Sequence, residues 1–350
     1  MKTELFDYAL PEALIAQRPL ASRSGARLLV LDREILHRHV EQLPDLVPEG
    51  ALMVLNDTRV RRARVLGTRR PNAGRVELLM LSSEAEPCSD GRERWRALGR
   101  ASKALRPGTC IDAGELAIEV LQRDSDGSLL LAIACQGAVE GALERAGRLP
   151  IPPYMRRTDD VGDDERYQTV YARRAGSAAA PTAGLHFTEA LLLRLQRRGV
   201  QLGYLELQVG LGTFRPVSAE DLNDHSMHEE AFEVSAALAQ AVREARERRA
   251  KVVAVGTTVV RALESAADPA SPGLVRETRG STRLMIQPGY RFQVVDALFT
   301  NFHQPRSTLL ALVAAFAGYQ ATMAAYAEAL REQYRFLSYG DAMWIPRRRA

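Results

Sequence analysis

One histidine of this sequence stands where it could exchange a proton with a bound molecule. His186 comes just before Thr188, a residue type that commonly caps the N-terminus of a helix. A histidine has an ordinary pKa near neutrality, and a nearby positive helix end would favour its neutral base form. The alternative is a half-buried histidine that only supports its loop. Both interpretations stay open from the residues alone.

A strand-like run at 251–255 leads through Gly256, Thr257 and Thr258 into a predicted helix that continues through Glu264. Such a turn exposes backbone N–H groups. With the helix dipole behind them, these groups favour a carboxylate, a phosphate or another oxygen-rich ligand. The alternative is structural: Gly256 permits the turn and Thr258 caps the helix.

Two other segments invite a cofactor or metal interpretation that the sequence does not support. The segment 210–214 contains two glycines that would let a ligand approach the backbone closely. It does not complete the GxGxxG fingerprint of dinucleotide-binding proteins. His225 and His228 are three residues apart, but no HExxH pattern, nearby cysteine or third ligand accompanies them. We therefore predict no metal, and a structural or substrate-orienting role for this histidine cluster.

Three short polar segments could grip a polar ligand. They are 56–59, which combines an amide, a carboxylate, a hydroxyl and a guanidinium group, 300–303, which precedes a very apolar predicted helix, and 339–341. Taken singly, each fits an ordinary turn or helix cap, because Asn, Asp and Thr readily bond local backbone groups.

The composition bounds the class of protein. With 350 residues, 46% hydrophobic and 26% charged, the chain is long enough for two domains of ordinary globular type. The longest strongly apolar stretch, 309–319, is about half of what a membrane-spanning helix needs, so we expect no such helix. The N-terminus lacks the features of a secretory signal, which predicts a cytoplasmic protein.

Charge and cysteine content add two further expectations. Basic residues clearly outnumber acidic ones between Arg59 and Arg106, a bias that fits either a nucleic-acid surface or a solvated arginine-rich exterior. The three cysteines are too few and too far apart for a CxxC metal site or a disulfide framework. We expect them to be reduced packing residues.

The elements that must position these segments fall into two groups. Short strand-like runs separated by turns fill the region 63–148 and favour a small antiparallel β-barrel. On either side, strands alternate with helices, including a predicted helix at 12–17 and one that begins after Thr188. The sequence thus predicts an α/β main domain formed by 1–62 and 149–350, with an antiparallel β-barrel domain inserted at 63–148.

Taken together and in this order, the segments resemble the S-adenosylmethionine:tRNA ribosyltransferase-isomerase family of queuosine biosynthesis. The resemblance runs nearly end to end, through residues 6–8, 10–11, 56–60, 181–187, 210–214, 227–228, 256–265, 300–303, 307–309 and 334–343. It also implies the inserted barrel, where the match is least distinctive. Two departures stand out: Gln208 replaces a common histidine, and Arg61 with Arg62 replaces a more usual Ile-Pro pair. A glutamine cannot exchange protons as a histidine does, so an acid/base role at position 208 is doubtful.

The resemblance implies a reaction on tRNA. The ribosyl part of S-adenosylmethionine is transferred to 7-aminomethyl-7-deazaguanine in the anticodon and isomerised, which gives epoxyqueuosine and releases adenine and methionine. The chemistry starts with removal of a proton beside the sulfonium, which calls for a general base and a pocket that excludes water. S-adenosylmethionine is then a consumed substrate, with no retained cofactor. We expect a monomer that binds the tRNA anticodon stem-loop.

The resemblance turns the polar segments into candidates. The catalytic candidates are His186, His228 and His303 for proton transfer, with Asp57 and Glu264 to balance the sulfonium or to orient hydroxyls. The candidates for substrate binding are Asn56, Thr58, Arg59, Thr182, Gly184, Gly210, Gly212, Thr213, Phe214, Gly256, Thr257, Thr258, Arg261, Asn301, Tyr339 and Asp341. Two other functions stay open: a noncatalytic RNA-binding module, and an enzyme of the same fold that acts on a different nucleoside.

Overall fold

The computed structural model describes residues 1–125, 127–210 and 217–346. It contains a nine-stranded mixed sheet with helices, and a closed six-stranded antiparallel barrel. The prediction of an α/β part that carries an antiparallel β-barrel is therefore confirmed. The barrel strands all lie between Arg64 and Ala134; the exact domain boundaries stay a prediction.

The strands in chain order are β1 Arg27–Leu31, β2 Ile35–His39, β3 Leu52–Asn56, β4 Thr58–Val60, β5 Arg64–Arg69, β6 Gly74–Ser83, β7 Glu93–Ala101, β8 Cys110–Ala113, β9 Leu116–Arg123, β10 Ser128–Ala134, β11 Arg174–Ser177, β12 Gln201–Leu207, β13 Glu230–Val234, β14 Val252–Val255, β15 Thr278–Thr282, β16 Ala297–Asn301 and β17 Ala342–Ile345. The α-helices are α1 Leu43–Leu46, α2 Val139–Ala146, α3 Val161–Arg166, α4 Glu189–Arg197, α5 Ala236–Glu247, α6 Thr257–Ser265, α7 Thr308–Ala317 and α8 Tyr319–Arg331. Short 3₁₀ helices include Glu12–Leu14, Arg23–Gly25 and Thr182–His186.

The main sheet has the strand order β15-β13-β12-β3-β14-β16-β17-β1-β2. The four neighbouring strands β12, β3, β14 and β16 run parallel to one another. Every residue of β3, β14 and β16 is buried, because apolar side chains cover both faces of this part of the sheet. Since parallel strands end at the same edge, the segments that follow these strands lie side by side.

The barrel closes in the order β10-β7-β6-β5-β8-β9 around its own apolar cluster. Alternate residues of β9 point inward, as the period of two in its sequence requires. Arg61, one of the two departures from the family pattern, lies buried between the barrel and the main part. Its guanidinium lies over the ring of Trp95 and donates to the carbonyl oxygen of Gly176 at 3.0 Å. This arginine thus connects the barrel to β11.

One predicted element differs from the structure. The helix expected at 12–17 is only the 3₁₀ turn Glu12–Leu14, after which the chain is extended and Ile15 pairs with Phe336. Pairing with a distant segment has overridden the local preference. The helix after Thr188 is confirmed, with the Thr188 hydroxyl accepting from the backbone N–H of Leu191.

In the described ranges, no single helix is long and apolar enough to cross a membrane. Helices α7 and α8 pass that test only as a pair, by length and composition, and the chain bends by 115° between them.

Candidate active site

A pocket lies at the edge of the sheet where β14 and β16 end. It brings together parts of three segments singled out from the sequence: 181–183 of the segment 181–187, 256–258, and 300–303. Its lining residues are Tyr154, Ala180, Pro181, Thr182, Ala183, Val209, Gly256, Thr257, Thr258, Thr300, Asn301, Phe302, His303, Gln304, Ser307, Leu309, Leu337 and Ser338. Ligands of open α/β sheets bind at such an edge, beyond the carboxyl ends of the strands.

Helix α6 begins at this pocket without a side-chain cap. By contrast, α4, α5 and α7 are capped by the hydroxyls of Thr188, Ser235 and Ser307. Gly256, at the N-cap of α6, has a φ of 93°, a conformation that favours glycine. The buried hydroxyl of Thr258 has no hydrogen-bond partner in the described parts of the chain. The alternative in which Thr258 caps the helix is therefore wrong, and the first turn of α6 can receive an oxygen-rich ligand.

Asn301 lines the same pocket and carries a second unpartnered polar atom. Its Nδ2 group donates to the carbonyl oxygen of Leu337 at 3.2 Å and contacts Nε2 of His186 at 3.0 Å. Oδ1 of Asn301 is buried and has no partner among the described residues. A carbonyl oxygen can only accept, which fixes which end of the amide faces Leu337. An acceptor without a partner among the described residues therefore belongs to a residue of the pocket wall.

His186 lies behind Asn301 and borders a second, smaller pocket, which shares Ser338 with the first. Burial lowers the pKa of His186 to about 4; the guanidinium groups of Arg23 and Arg335 act in the same direction, and a hydrogen bond to the Arg23 backbone opposes them. His186 is thus neutral near pH 7. Its predicted proton-transfer role stays a prediction.

His303 is the candidate histidine that lines the main pocket. Its Nε2 atom lies 2.9 Å from the hydroxyl of Thr300, and its backbone N–H donates to the hydroxyl of Tyr326 at 2.9 Å. Burial lowers the pKa of His303 to about 3, so this ring is also neutral near pH 7. A neutral imidazole beside a hydroxyl is able to accept a proton.

The two carboxylates expected to balance the sulfonium do not line this pocket. Glu264 accepts backbone N–H groups of Gln293, Val294 and Val295 at 2.8–3.0 Å, so its carboxylate anchors the segment before β16. Asp57 is buried with Oδ1 unpartnered among the described residues. Burial raises its pKa, and the nearby Arg174 and Arg173 oppose that shift. The roles expected for Asp57 and Glu264, to balance the sulfonium or to orient hydroxyls, stay predictions.

Arg261 does not line this pocket either, and its expected contact with substrate stays a prediction. Its guanidinium forms a buried ion pair with Glu230 and donates to the carbonyl oxygen of Leu284 at 3.0 Å. The other carboxylate oxygen of Glu230 accepts the backbone N–H of Gly210 at 3.1 Å. Arg261 therefore connects α6 to β13 and, through Glu230, to Gly210. Three further candidates next to Gly210, namely Gly212, Thr213 and Phe214, lie outside the described residues.

The polar segment after β3 holds the strands together. The side chain of Asn56 bonds Leu207 through both its oxygen and its nitrogen. The hydroxyl of Thr58 lies 2.9 Å from that of Ser177, and Arg59 is exposed on β4. These three residues do not line the pocket, and their expected contact with substrate stays a prediction.

Two residues of the 339–341 segment are likewise engaged by the protein. The Asp341 carboxylate accepts the backbone N–H groups of Arg27 and Arg335 at 2.9 and 2.7 Å. The hydroxyl of Tyr339 donates to Asp163 at 2.8 Å, and the Tyr339 side chain borders the smaller pocket. Asp341 thus anchors two backbone segments, and its expected contact with substrate stays a prediction.

The remaining candidates divide. Thr182 lines the main pocket. Gly184 does not line this pocket. A Cβ atom at position 184 would lie 2.2 Å from the hydroxyl of Tyr171, so packing requires a glycine there. His228 is exposed in the loop before β13 and is absent from the pocket lining. In the described ranges, no three metal-binding side chains lie together; the predicted absence of a metal stays a prediction.

The structure adds pocket residues that the sequence did not single out. The hydroxyls of Tyr154 and Ser338 lie 2.5 Å apart and both face the pocket. Tyr154 follows a run of prolines that only indicates a loop, and Ser338 precedes the 339–341 segment by one residue. Their contact joins residues far apart in the chain, and local motifs carry no signal for it.

Comparison with known proteins shows the family of this chain. The sequence model of the family described as "Queuosine biosynthesis protein" matches residues 3–345. The chain belongs to this family.

Several relatives are similar over nearly their whole length. The S-adenosylmethionine:tRNA ribosyltransferase-isomerase of Sorangium cellulosum is 51% identical, with 99% of this chain and 98% of the relative covered. The protein of the same name from Natranaerobius thermophilus is 43% identical, with 99% of each covered. Among solved structures, S-adenosylmethionine tRNA ribosyltransferase from Thermotoga maritima is 35% identical, with a TM-score of 0.55, and 97% of this chain and 99% of that one are covered.

Proposed function

We propose that the pocket at the ends of β14 and β16 binds S-adenosylmethionine and consumes it as a ribosyl donor. The protein is an S-adenosylmethionine:tRNA ribosyltransferase-isomerase of queuosine biosynthesis, as its family and its relatives at about half identity indicate. The product is epoxyqueuosine in tRNA, formed on 7-aminomethyl-7-deazaguanine with release of adenine and methionine. A noncatalytic RNA-binding role is not favoured by relatives that are all named as enzymes.

We locate the binding site for S-adenosylmethionine from two groups of pocket-lining residues that have no hydrogen-bond partner within the described ranges. The uncapped first turn of α6 and the Thr258 hydroxyl suit an oxygen atom of the substrate, such as its carboxylate or a ribose hydroxyl. Oδ1 of Asn301 suits an N–H or O–H donor. S-adenosylmethionine carries both kinds of group. A bound ligand that carries both kinds of group would satisfy these two atoms.

The charge of the pocket favours the first chemical step. Of the described lining residues, none is Asp, Glu, Lys or Arg. A sulfonium bound there keeps its positive charge unneutralised, and that charge stabilises the carbanion formed by removal of a neighbouring proton. His303 is the neutral base in the pocket, and we assign it the proton transfer. Thr300 orients its ring through the 2.9 Å contact to Nε2.

The proposal also includes the RNA substrate, the oligomeric state and the localisation of the enzyme. The RNA substrate is the anticodon stem-loop of tRNA, and the enzyme acts as a monomer in the cytoplasm without a retained cofactor. The excess of basic residues between Arg59 and Arg106 supports binding to RNA phosphates.

The test is incubation of the purified protein with S-adenosylmethionine and an anticodon stem-loop that bears the aminomethyl base, followed by mass analysis of the RNA. We expect the epoxyqueuosine mass, with adenine and methionine released in equal amounts. A stem-loop with guanine at the same position is the matched control and should stay unmodified. Methylated RNA, or no adenine release, would contradict the proposal.

A further inference from the structure

The hydrogen bonds around Asn301 fix the orientation of its side-chain amide. One Nδ2 hydrogen is directed to the carbonyl oxygen of Leu337 and the other to Nε2 of His186. A flipped amide would place its oxygen against the Leu337 carbonyl, and two acceptors repel each other. Only the observed orientation leaves Oδ1, an acceptor, as the unpartnered atom of this pocket-lining residue among the described parts of the chain.

The same bonds define the state of His186. Because Asn301 donates to Nε2, that nitrogen must be the unprotonated acceptor of the ring. The proton is left on Nδ1, which can make the hydrogen bond to the backbone of Arg23. Both ring nitrogens are then occupied by protein groups, and the charged groups that act on the ring are the guanidiniums of Arg23 and Arg335. A substrate proton would reach His186 only if Asn301 moved away.

We propose that His186 is a positioning residue: it holds the Asn301 amide so that Oδ1 accepts a hydrogen bond from an N–H or O–H group of S-adenosylmethionine. The inference rests on the proposed function and deepens it, since it makes Asn301 the residue that selects a hydrogen-bond donor of the substrate. His186 needs no proton transfer for this role. It needs only to remain an acceptor at the position of Nε2.

Two substitutions at one position separate positioning from proton transfer. The amide group of a glutamine reaches the place of Nε2, whereas that of the shorter asparagine reaches only the place of Nδ1. His186→Gln therefore restores an acceptor for Asn301, and His186→Asn does not. We expect His186→Gln to keep the KM for S-adenosylmethionine within about twofold of the unsubstituted protein, and His186→Asn to raise it roughly tenfold, the effect of one hydrogen bond.

The readouts are KM and kcat for adenine release with the modified stem-loop, and the pH profile of kcat/KM. Asn301→Leu should raise the KM as His186→Asn does, and the double variant should add little, because both changes remove one interaction. Asn301→Leu also probes the contact if His186→Asn folds poorly, which thermal unfolding would reveal.

Loss of turnover or of a limb of the pH profile in His186→Gln would overturn the inference, because both would mean that the ring exchanges protons. An unchanged KM in both His186→Asn and Asn301→Leu would overturn it as well. The proposed function fails separately, if the unsubstituted protein releases no adenine from S-adenosylmethionine.

Discussion

Glu230 and Arg261 form an ion pair in which both side chains are almost fully buried, at 4% and 6% exposure. Glu230 lies on β13 and also accepts the backbone N–H of Gly210, while Arg261 lies on the helix that begins at the pocket. The pair therefore links α6 to β13 and to Gly210 in the segment that follows β12. Neither side chain lines the pocket.

We expect Glu230→Gln to lower the free energy of unfolding by about 3 kcal/mol, because it leaves the Arg261 charge buried without a counter-charge. Urea unfolding measures the change. Glu229→Gln is the matched control: Glu229 precedes Glu230 in sequence but pairs with Arg283 in solvent, so its substitution should change little. Equal stability of the two variants would contradict the assignment.

The Thr258 hydroxyl should matter for substrate and not for folding. Thr258→Val keeps the side-chain shape and removes a buried hydroxyl that has no partner in the described parts of the chain. We expect unchanged or slightly raised thermal stability, and a KM for S-adenosylmethionine raised by roughly tenfold.

Thr322→Val is the matched control for Thr258→Val, with the opposite expected effects on stability and on the KM. The Thr322 hydroxyl donates to the carbonyl oxygen of Gly318 at 2.9 Å, inside α8 and outside the pocket lining. Its substitution should lower stability by about 1 kcal/mol and leave the KM unchanged. If Thr258→Val lowers stability and leaves the KM for S-adenosylmethionine unchanged, the Thr258 hydroxyl has a structural role and does not bind substrate.

Stability should fall on mild acidification. Burial lowers the pKa of His186 to about 4 and that of His303 to about 3, from an ordinary value of 6.5. At a pH between each lowered pKa and 6.5, the unfolded chain binds a proton that the folded protein excludes. The free energy of unfolding is therefore highest above pH 6.5 and decreases as the pH falls toward 4. The slope approaches about 1.4 kcal/mol per pH unit for each histidine.

Unfolding measured between pH 6.5 and 5.5 isolates this effect, because most carboxylates titrate at lower pH. His186→Gln should reduce the slope, and the remainder comes from His303 and from His225, whose pKa burial also lowers. A slope that is the same in the variant would show that His186 is not buried in its neutral form.

Glu264 should act as an anchor. Glu264→Gln replaces one carboxylate oxygen by an amide that cannot accept, although both oxygens take backbone N–H groups of 293–295. We expect a loss of about 2 kcal/mol in stability, with kcat retained well below the melting temperature. A large fall in kcat with normal stability would restore Glu264 as a catalytic candidate.

The sequence predicted the positions of the strand ends better than it predicted the partners of the polar side chains. The turn at 256–258 and the polar segment 300–303 meet because each follows a buried parallel strand, and both features are visible in apolar runs of the sequence. The inserted barrel was equally visible, since closely spaced short strands without helices admit few other arrangements.

The sequence could not distinguish polar groups that face a ligand from those that face the protein. Asn56, Glu264 and Asp341 all bond backbone N–H groups from distant segments. Asn301 also bonds distant residues through Nδ2, yet leaves Oδ1 free among the described residues. Such differences depend on tertiary contacts that neither residue type nor spacing encodes.

The most direct test is a crystal structure of the protein with S-adenosylmethionine bound. We expect a substrate oxygen at the first turn of α6 within hydrogen-bond distance of the Thr258 hydroxyl, and a substrate donor on Oδ1 of Asn301, with His186 still hydrogen-bonded to Asn301. A nucleoside bound elsewhere, with Thr258 and Asn301 making no contact to it, would contradict it.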